Sequence, residues 1–243
     1  LRVIKGKVEK SIADQIPHPG GQPRTWQRMR NLDDILDTDP VESSIWSQDV
    51  TPTLPRVYKR EKKQSGGELA ILRDVSSSMM GRYSKWASAV IVGLIDMAKQ
   101  KRMRVGYIEF NHLSTKYKDN GRFFSKDYDK FLRKASNIKC SGYTNYQRSL
   151  NDALTEFDNR RTRNKHIVFI TDGVPTQGDW EVKTERSLAK KNGVAIHSIF
   201  IGTNDCPKIL KIISDETSGA QFQASTDHRG VVKISERNKS GVN

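Results

Sequence analysis

The chain has 243 residues, of which 35% are hydrophobic, and a formal net charge of +14. This length fits one large domain, or one domain with an appendage, and no apolar run approaches the ~20 residues of a membrane-spanning helix. The excess positive charge predicts an acidic partner, such as nucleic acid or an acidic protein segment, unless it serves solubility alone.

The two cysteines, Cys140 and Cys206, are too few for a disulfide framework and lack the spacing of a zinc site. We therefore expect two reduced thiols, although the sequence leaves a single bridge open. No basic and then apolar leader is visible, so we expect an intracellular location, in the cytoplasm or an organelle matrix. A removed targeting peptide stays open, because the chain begins at Leu1.

Residues 1–68 differ in composition from the rest of the chain. They hold six of the eight prolines, two Gly-Gly pairs and the basic run RVYKREKK. Such a composition is typical of an extended arm or linker with little core of its own. Trp26 and Trp46 nevertheless indicate some ordered contacts, so we predict a Pro-rich basic arm that is partly ordered.

From residue 69 onward, apolar strands and amphipathic helices alternate. In chain order the predicted elements are the strand ELAIL, a helix over 83–100, the strand RVGYIEF, a hairpin return STKYKDNGRFF, the helices KDYDKFLRKAS and YQRSLNDALTEF, the strand HIVFIT, the helix WEVKTERSLAKKN, the strand VAIHSIFI, the helix PKILKIISDETS and the strand AQFQAS. This pattern predicts an α/β fold, a doubly wound and mostly parallel sheet with helices on both faces and one antiparallel edge strand. We place this domain at residues 69–230 and a basic tail at 231–243.

Polar side chains follow two of these strands and precede one helix, in the segments DVSSS, TDGVPT and SGYTN. In a doubly wound sheet the strand-to-helix loops open at the carboxyl edge, where ligands bind. We therefore expect five side chains to converge there: Asp74, Ser76, Ser78, Thr144 and Asp172.

An oxygen-only set of this kind suits Mg²⁺ or Mn²⁺ better than zinc. Neutral hydroxyls leave much of the cation's charge unneutralised, so an Asp or Glu of a partner can fill an open coordination position. A helix cap needs one such residue and does not explain Thr144 or Asp172. A nucleophilic serine needs a nearby base, and the chain has no Gly-x-Ser-x-Gly, Walker A, dinucleotide-binding or His-Glu-x-x-His pattern. We therefore predict a site that is not an enzyme's.

Asp-x-Ser-x-Ser after the first strand, a distant Thr in a Gly-containing loop and Thr-Asp-Gly after a later strand resemble the von Willebrand factor type A (vWA) domain and its metal-ion-dependent adhesion site (MIDAS). The resemblance covers about residues 68–230 and implies the Rossmann-like fold of that family. It implies that Ser76 and Ser78 bind the cation directly and Thr144 directly or through water, while Asp74 and Asp172 act through water and hydrogen bonds. Ser77 stands where the family commonly has Gly, and SGYT replaces the commoner GGT; no role is assigned to Ser77.

Two further sets of residues surround this core prediction. The expected partner-binding rim consists of Met79, Met80, Asn111, His112, Tyr143, Asn145 and Val174, with helix-start packing as an alternative for the two methionines. Basic residues in the helix-to-strand loops predict a patch at the opposite, amino edge, or else complement helix dipoles. These residues are Lys99, Lys101, Arg102, Arg104, Arg160, Arg161, Arg163 and Lys165.

The leading functional hypothesis is a non-enzymatic, metal-dependent protein-interaction domain. The resemblance extends to intracellular members that act as adaptors to AAA+ ATPases, as in the magnesium and cobalt chelatases. A second hypothesis is RNA binding, since other intracellular members resemble the Ro ribonucleoprotein. A third is cell-surface adhesion, which a Cys140–Cys206 bridge would favour.

Overall fold

The computed structural model describes residues 66–226, apart from 137, 159–161, 163 and 204, together with three strands outside that range. The chain divides into two compact units, residues 16–64 and the remainder. In the first unit, strands β1 (Pro23–Arg28) and β2 (Arg56–Arg60) form an antiparallel two-stranded sheet with an irregularity between Pro23 and Thr25. The segment predicted as a partly ordered arm thus contains a pair of strands.

The second unit is built on a seven-stranded sheet with the order β5-β4-β3-β6-β7-β8-β9. Its strands are β3 (Glu68–Asp74), β4 (Arg104–Phe110), β5 (Ser114–Tyr117), β6 (Lys165–Thr171), β7 (Val194–Ile201), β8 (Gln221–Thr226) and β9 (Val232–Glu236). The five central strands are parallel, whereas β5 and β9 pair antiparallel at the two edges. Parallel strands in this order place all strand-to-helix loops at one edge.

Helices cover both faces of this sheet. They are α1 (Arg82–Gln100), α2 (Tyr128–Ser136), α3 (Tyr146–Asp158), α4 (Lys183–Lys191) and α5 (Lys208–Glu216). The buried side chains of α1 and α2 belong to one core cluster, and those of α3 and α5 to the other. The predicted fold class, a doubly wound and mostly parallel α/β sheet, is confirmed.

The apolar run of β3 shows why the strands carry unbroken hydrophobic sequence. Leu69 and Ile71 pack into the core under α1, while Ala70 and Leu72 pack into the core on the opposite face. Because both faces of the sheet are covered, neither set of alternating positions needs to be polar. On α1 the buried residues recur at helical spacing and form one stripe toward the sheet.

Two of the larger differences from the predicted elements concern α4 and β9. Helix α4 begins at Lys183, not at residue 180, because the Asp179 carboxylate accepts the backbone N–H groups of Glu181 and Lys183 and holds the preceding residues in a loop. Strand β9 lies inside residues 231–243, so part of the segment predicted as a tail belongs to the sheet. Its sequence, VKISE, alternates apolar and polar residues as an edge strand does.

Two smaller expectations can be compared with the described residues. Cys140 and Cys206 are both free, and they pack against cores on opposite faces of the sheet. Among the helices of the described residues, none has the length and apolar character needed to cross a bilayer.

Candidate metal centre

The candidate site begins with Asp74, the last residue of β3, whose side chain is buried. Its Oδ1 accepts the backbone N–H of Ser76 at 2.8 Å, and its Oδ2 accepts the hydroxyl of Thr171 at 2.7 Å. Burial raises the pKa of Asp74 to about 6, against the lowering effect of the Ser76 and Thr171 hydrogen bonds. A positive charge nearby would stabilise this buried carboxylate.

A chain of three oxygen atoms lies beside Asp74. The hydroxyls of Ser76 and Ser78 are 3.1 Å apart, and Ser78 Oγ donates to Asp172 Oδ1 at 2.9 Å. Neighbouring ligands of an octahedral Mg²⁺ lie about 3 Å apart, since each Mg–O distance is about 2.1 Å. The Ser76 and Ser78 hydroxyls therefore have the separation of two adjacent ligands, and Asp172 is hydrogen-bonded to Ser78.

The chemistry of the donors fits as well. Burial raises the pKa of Asp172, although the hydrogen bond from Ser78 opposes this shift. Within the described residues, no three His, Cys, Asp or Glu side chains come together. The donor set is thus two carboxylates with hydroxyls, and hydroxyl and carboxylate oxygens are ligands that hard cations prefer.

Thr144 belongs to the loop that precedes α3, and hydrogen bonds tie this loop to the other two. The Ser141 N–H donates to the Val75 carbonyl at 2.8 Å. The Thr144 carbonyl accepts the Thr176 N–H at 2.9 Å, and the Thr144 N–H donates to Thr176 Oγ1 at 2.9 Å. The Thr144 side chain is buried. The three loops predicted to converge therefore form one bonded assembly at the carboxyl edge.

Ser77 has a place in this assembly that the sequence did not indicate. Its N–H and its hydroxyl both donate to the Gly142 carbonyl, at 3.1 and 3.2 Å. Gly142 has φ +81°, and a Cβ there would lie 2.3 Å from His112 Nδ1. Glycine is favoured at this position because the positive φ strains other residues and a Cβ would force the His112 ring to move. Ser77 thus joins the first two loops.

Thr171 and Tyr146 are the residues of this region that the sequence analysis missed. Thr171 is fully buried and bonds to Asp74, as described above. The Tyr146 hydroxyl donates to the Gly173 carbonyl and lies 3.3 Å from Thr171 Oγ1. Burial raises the pKa of Tyr146 far above its usual range, so it remains a donor. Thr171 could have been found from the sequence, since it is the Thr of the Thr-Asp-Gly segment.

The predicted rim residues divide into three groups. Met80, Tyr143 and Val174 are exposed at the carboxyl edge. Asn111 and Asn145 are partly buried and hold the loops, for the Asn111 amide donates to the Ser141 carbonyl at 2.8 Å and Asn145 Oδ1 accepts the Arg148 N–H at 3.1 Å.

Met79 and His112 do not extend outward from this edge. Met79 is completely buried in the core under α1, so its placement on the rim is corrected: helix-start packing holds it. His112 is partly buried against Gly142.

The residues of the predicted basic patch are all basic, but they differ in how exposed they are. Lys165 is buried, and its Nζ donates to the Phe157 carbonyl at 3.2 Å, which corrects its placement on an exposed patch. Arg104 is half-exposed and forms an ion pair with buried Glu68 at 2.8 Å. Lys99 and Arg102 are exposed, and Lys101 is partly buried. Three members lie outside the described residues: Arg160, Arg161 and Arg163.

Comparisons with known proteins bear on the family to which this fold belongs. The sequence model of the von Willebrand factor type A domain matches residues 68–237. An uncharacterized protein of Methanocaldococcus jannaschii is 30% identical over 182 residues, which is 72% of this chain but 39% of the relative. The chain therefore spans well under half of that relative's length.

Solved structures show the same fold at low identity. A von Willebrand factor type A structure from Catenulispora acidiphila has a TM-score of 0.55 and 18% identity. The aligned part is 65% of this chain and 38% of the Catenulispora chain. Proximal thread matrix protein 1 of the mussel byssus was solved with a zinc-occupied MIDAS motif. It has a TM-score of 0.55 and 20% identity, and the aligned part is 66% of this chain and 42% of the mussel chain. From the sheet order, the loops at its carboxyl edge and the match over residues 68–237, this chain belongs to the von Willebrand factor type A domain family.

Proposed function

We propose that this domain holds a divalent cation, Mg²⁺ or Mn²⁺, at the carboxyl edge and uses it to capture an Asp or Glu side chain of a protein partner. The five residues expected to hold it are Asp74, Ser76, Ser78, Thr144 and Asp172. The observation that carries the proposal is the oxygen chain from Ser76 through Ser78 to Asp172, with successive separations of 3.1 and 2.9 Å. When bound, the cation would supply positive charge and an open coordination position for a carboxylate.

The roles of the two carboxylates follow from their hydrogen bonds. Asp74 already accepts one bond on each oxygen, from Ser76 N–H and Thr171 Oγ1, so it positions the first loop. Asp172 accepts from Ser78 and orients that hydroxyl. Outer partners of this kind orient the ligands they contact. The serine hydroxyls are neutral, so the domain's own residues leave cationic charge for a partner's carboxylate to meet.

The first experiment measures cation binding directly. Calorimetric titration of the wild type with Mg²⁺, Mn²⁺ and Zn²⁺ should give binding heat for the first two. Zn²⁺ is included because the mussel protein was solved with zinc at its MIDAS motif. Ser76→Ala and Ser78→Ala should each lose the Mg²⁺ heat. Equal heat in the wild type and both variants would contradict the proposed site.

A second experiment tests the carboxylate. A capped, fluorescent peptide with a single central aspartate is titrated by fluorescence polarisation in Mg²⁺ and in excess chelator. An otherwise identical peptide with asparagine is the control. The aspartate peptide should bind only in Mg²⁺, and the asparagine peptide in neither condition. Binding that ignores both the chelator and the Asp-to-Asn change would contradict capture of a carboxylate.

The net charge of +14 favours a second candidate function, the binding of RNA or an acidic protein segment at the amino edge. The exposed side chains of Lys99 and Arg102 support it. Affinity for a generic single-stranded RNA should then fall steeply with salt and ignore chelator. Affinity that needs Mg²⁺ and tolerates salt would instead favour the carboxyl edge.

The biological setting remains part of the proposal. Family resemblance supports an intracellular adaptor that presents a partner to an AAA+ ATPase or chelatase. We propose that the domain acts as an interaction module and not as an enzyme. The cysteine bridge that would have favoured cell-surface adhesion is not formed in the structure, where Cys140 and Cys206 are both free.

A further inference from the structure

The large apolar side chains exposed on the described residues are concentrated at the carboxyl edge. Of seven such side chains, five lie in the loops of that edge and only two, Val92 and Ile212, lie on helices. The five, which we call the apolar collar, are Met80, Leu113, Tyr143, Val174 and Trp180. Apolar side chains that gather around one site, rather than scatter, indicate an interaction surface.

Each collar residue comes from a loop that is hydrogen-bonded to another loop of the same edge. The Asn145 N–H donates to the Asn111 carbonyl at 2.9 Å, which joins the loops of Tyr143 and Leu113. Asn145 and Gln177 also pair as an isolated parallel β-bridge, and the Asp179 N–H donates to Gln147 Oε1 at 3.2 Å. The loop that carries Val174 and Trp180 is therefore tied to the start of α3.

The two largest members of the collar are aromatic. Tyr143 is 63% exposed and Trp180 is 58% exposed, although large aromatic side chains usually bury most of their area. Aromatic side chains with few rotatable bonds, presented from bonded loops, lose little entropy when a partner covers them. Such residues commonly act as anchors of protein interfaces.

The charges around the collar favour an anionic occupant. Helices α1 and α3 both direct their N-termini toward this edge, and neither has an acidic residue in its first turn. Their first turns instead carry Arg82 and Arg148, both exposed. A helix N-terminus already bears partial positive charge, so these arginines add to it. Two carboxylates flank Trp180, but Asp179 accepts the N–H groups of Glu181 and Lys183, and the Glu181 carboxylate forms an ion pair with Lys183.

We propose that the partner of this domain is an acidic peptide segment in which large apolar side chains flank the carboxylate that the metal centre captures, and that the apolar collar binds those flanking side chains. This inference rests on the proposed function and deepens it. The carboxylate supplies affinity at the metal centre, the collar selects among carboxylates by their neighbours, and the arginines favour an overall acidic segment.

Two capped fluorescent peptides test the inference by polarisation in Mg²⁺. Both carry one central aspartate; in one it is flanked by leucine and tryptophan, and in the other by serine and glycine. The apolar-flanked peptide should bind at least about tenfold more tightly, as expected for covering one large apolar side chain. Excess chelator should abolish the binding of both.

Variants of the collar separate it from the metal centre. Tyr143→Ser and Trp180→Ser should each reduce the preference for the apolar-flanked peptide several-fold and leave the calorimetric Mg²⁺ affinity unchanged. Val174→Ser has a matched control in Val92→Ser, because the two valines are 46% and 42% exposed and only Val174 lies at the edge. Val174→Ser should weaken the preference, and Val92→Ser should not.

The outcomes distinguish the two proposals. Equal Mg²⁺-dependent affinity for both peptides, or a preference that survives Tyr143→Ser and Trp180→Ser together, contradicts the collar but not the metal centre. Absence of Mg²⁺-dependent binding by either peptide contradicts the collar as well. In that case, absence of Mg²⁺ heat in the wild type would show that the proposed metal site is itself wrong.

Discussion

The two edges of the sheet use polar residues in opposite ways. At the carboxyl edge, three loops are bonded to one another around two buried or partly buried carboxylates and the hydroxyls of Ser76 and Ser78. At the amino edge, Arg104 and Lys165 are each satisfied within their own neighbourhood, by Glu68 and by the Phe157 carbonyl. Both edges join distant parts of the chain, but at the carboxyl edge several potential cation ligands, hydroxyl and carboxylate oxygens, lie within hydrogen-bonding distance of one another. That clustering of acceptor oxygens distinguishes a candidate binding site from charges that stabilise the fold.

The largest expected contrast concerns acid sensitivity in the amino half of the sheet. Buried His166 lies 3.2 Å from His197 Nε2, and His197 Nδ1 accepts the Ala220 N–H at 3.2 Å. His197 must therefore carry its proton on Nε2 and donate it to His166. Burial lowers the pKa of His166 from 6.5 to about 4, so the native protein keeps this ring neutral where the unfolded chain protonates it.

His166 leaves stability unchanged above about pH 6.5, and stability falls by on the order of 3 kcal/mol as pH falls toward about 4, because only the unfolded chain takes up the proton there. Urea unfolding of the wild type and of His166→Leu, between about pH 4 and pH 6.5, measures this change in the free energy of unfolding. The variant should lose stability less steeply with acid. Parallel pH curves for the two proteins would contradict the buried, neutral assignment.

The next contrast concerns how tightly the carboxyl-edge loops are held. Gly142→Ala should lower the free energy of unfolding by about 2 kcal/mol, because it combines an unfavourable φ with a clash against His112. Gly121→Ala is the matched control, since Gly121 has φ +76° and open space around its Cβ position. It should lose only about 1 kcal/mol. Equal losses in urea denaturation would mean that His112 yields freely.

Thr171 tests whether the hydrogen bond to Asp74 contributes to the proposed metal site. Thr171→Val keeps the shape and removes the hydroxyl that donates to Asp74 Oδ2. Mg²⁺ affinity measured by calorimetry should fall about tenfold, as for other residues that orient metal ligands. Thr155→Val, which removes an exposed hydroxyl on α3, should leave the affinity unchanged. An unchanged affinity in Thr171→Val would remove Thr171 from the site.

The smallest contrast separates two lysines of the amino edge. Lys165→Met leaves the Phe157 carbonyl without its donor and should cost about 1 kcal/mol in urea unfolding. Lys99→Met removes an exposed charge near the end of α1 and should change stability by less than about 0.5 kcal/mol. A larger loss in Lys99→Met would show that helix-dipole complementation outweighs the buried contact.

Much of this molecule could be predicted from its sequence because its signals are local or topological. Alternating apolar runs and amphipathic helices predict the fold, and the rule that loops meet at the carboxyl edge predicts that Asp74 and Asp172 lie near each other. Thr171 was present in the same segment, but only the structure shows its hydroxyl on Asp74.

The errors have a common physical origin. Charge predicts that Lys165 is exposed, yet it is buried where α3 ends, against the Phe157 carbonyl. Position in the chain predicts that Met79 lies on the rim, yet it is buried where α1 begins against the sheet. Strand β9 was hidden in a basic segment because edge strands tolerate polar and charged residues. Composition alone is therefore a poor guide to which residues can contact a partner. The topology of the sheet is a better guide, because it decides which residues come together.

The most direct test of the central claim, that the carboxyl edge holds a cation through defined hydroxyls, compares two adjacent serines. Ser77 and Ser78 are both exposed, but Ser77 bonds to Gly142 and Ser78 to Asp172. Thermal unfolding of the wild type, Ser77→Ala and Ser78→Ala is measured in chelator and in Mg²⁺ at ten times the wild-type Kd. Mg²⁺ should stabilise the wild type and Ser77→Ala by about 1.4 kcal/mol and leave Ser78→Ala unchanged. An equal response of all three proteins would contradict the proposed site.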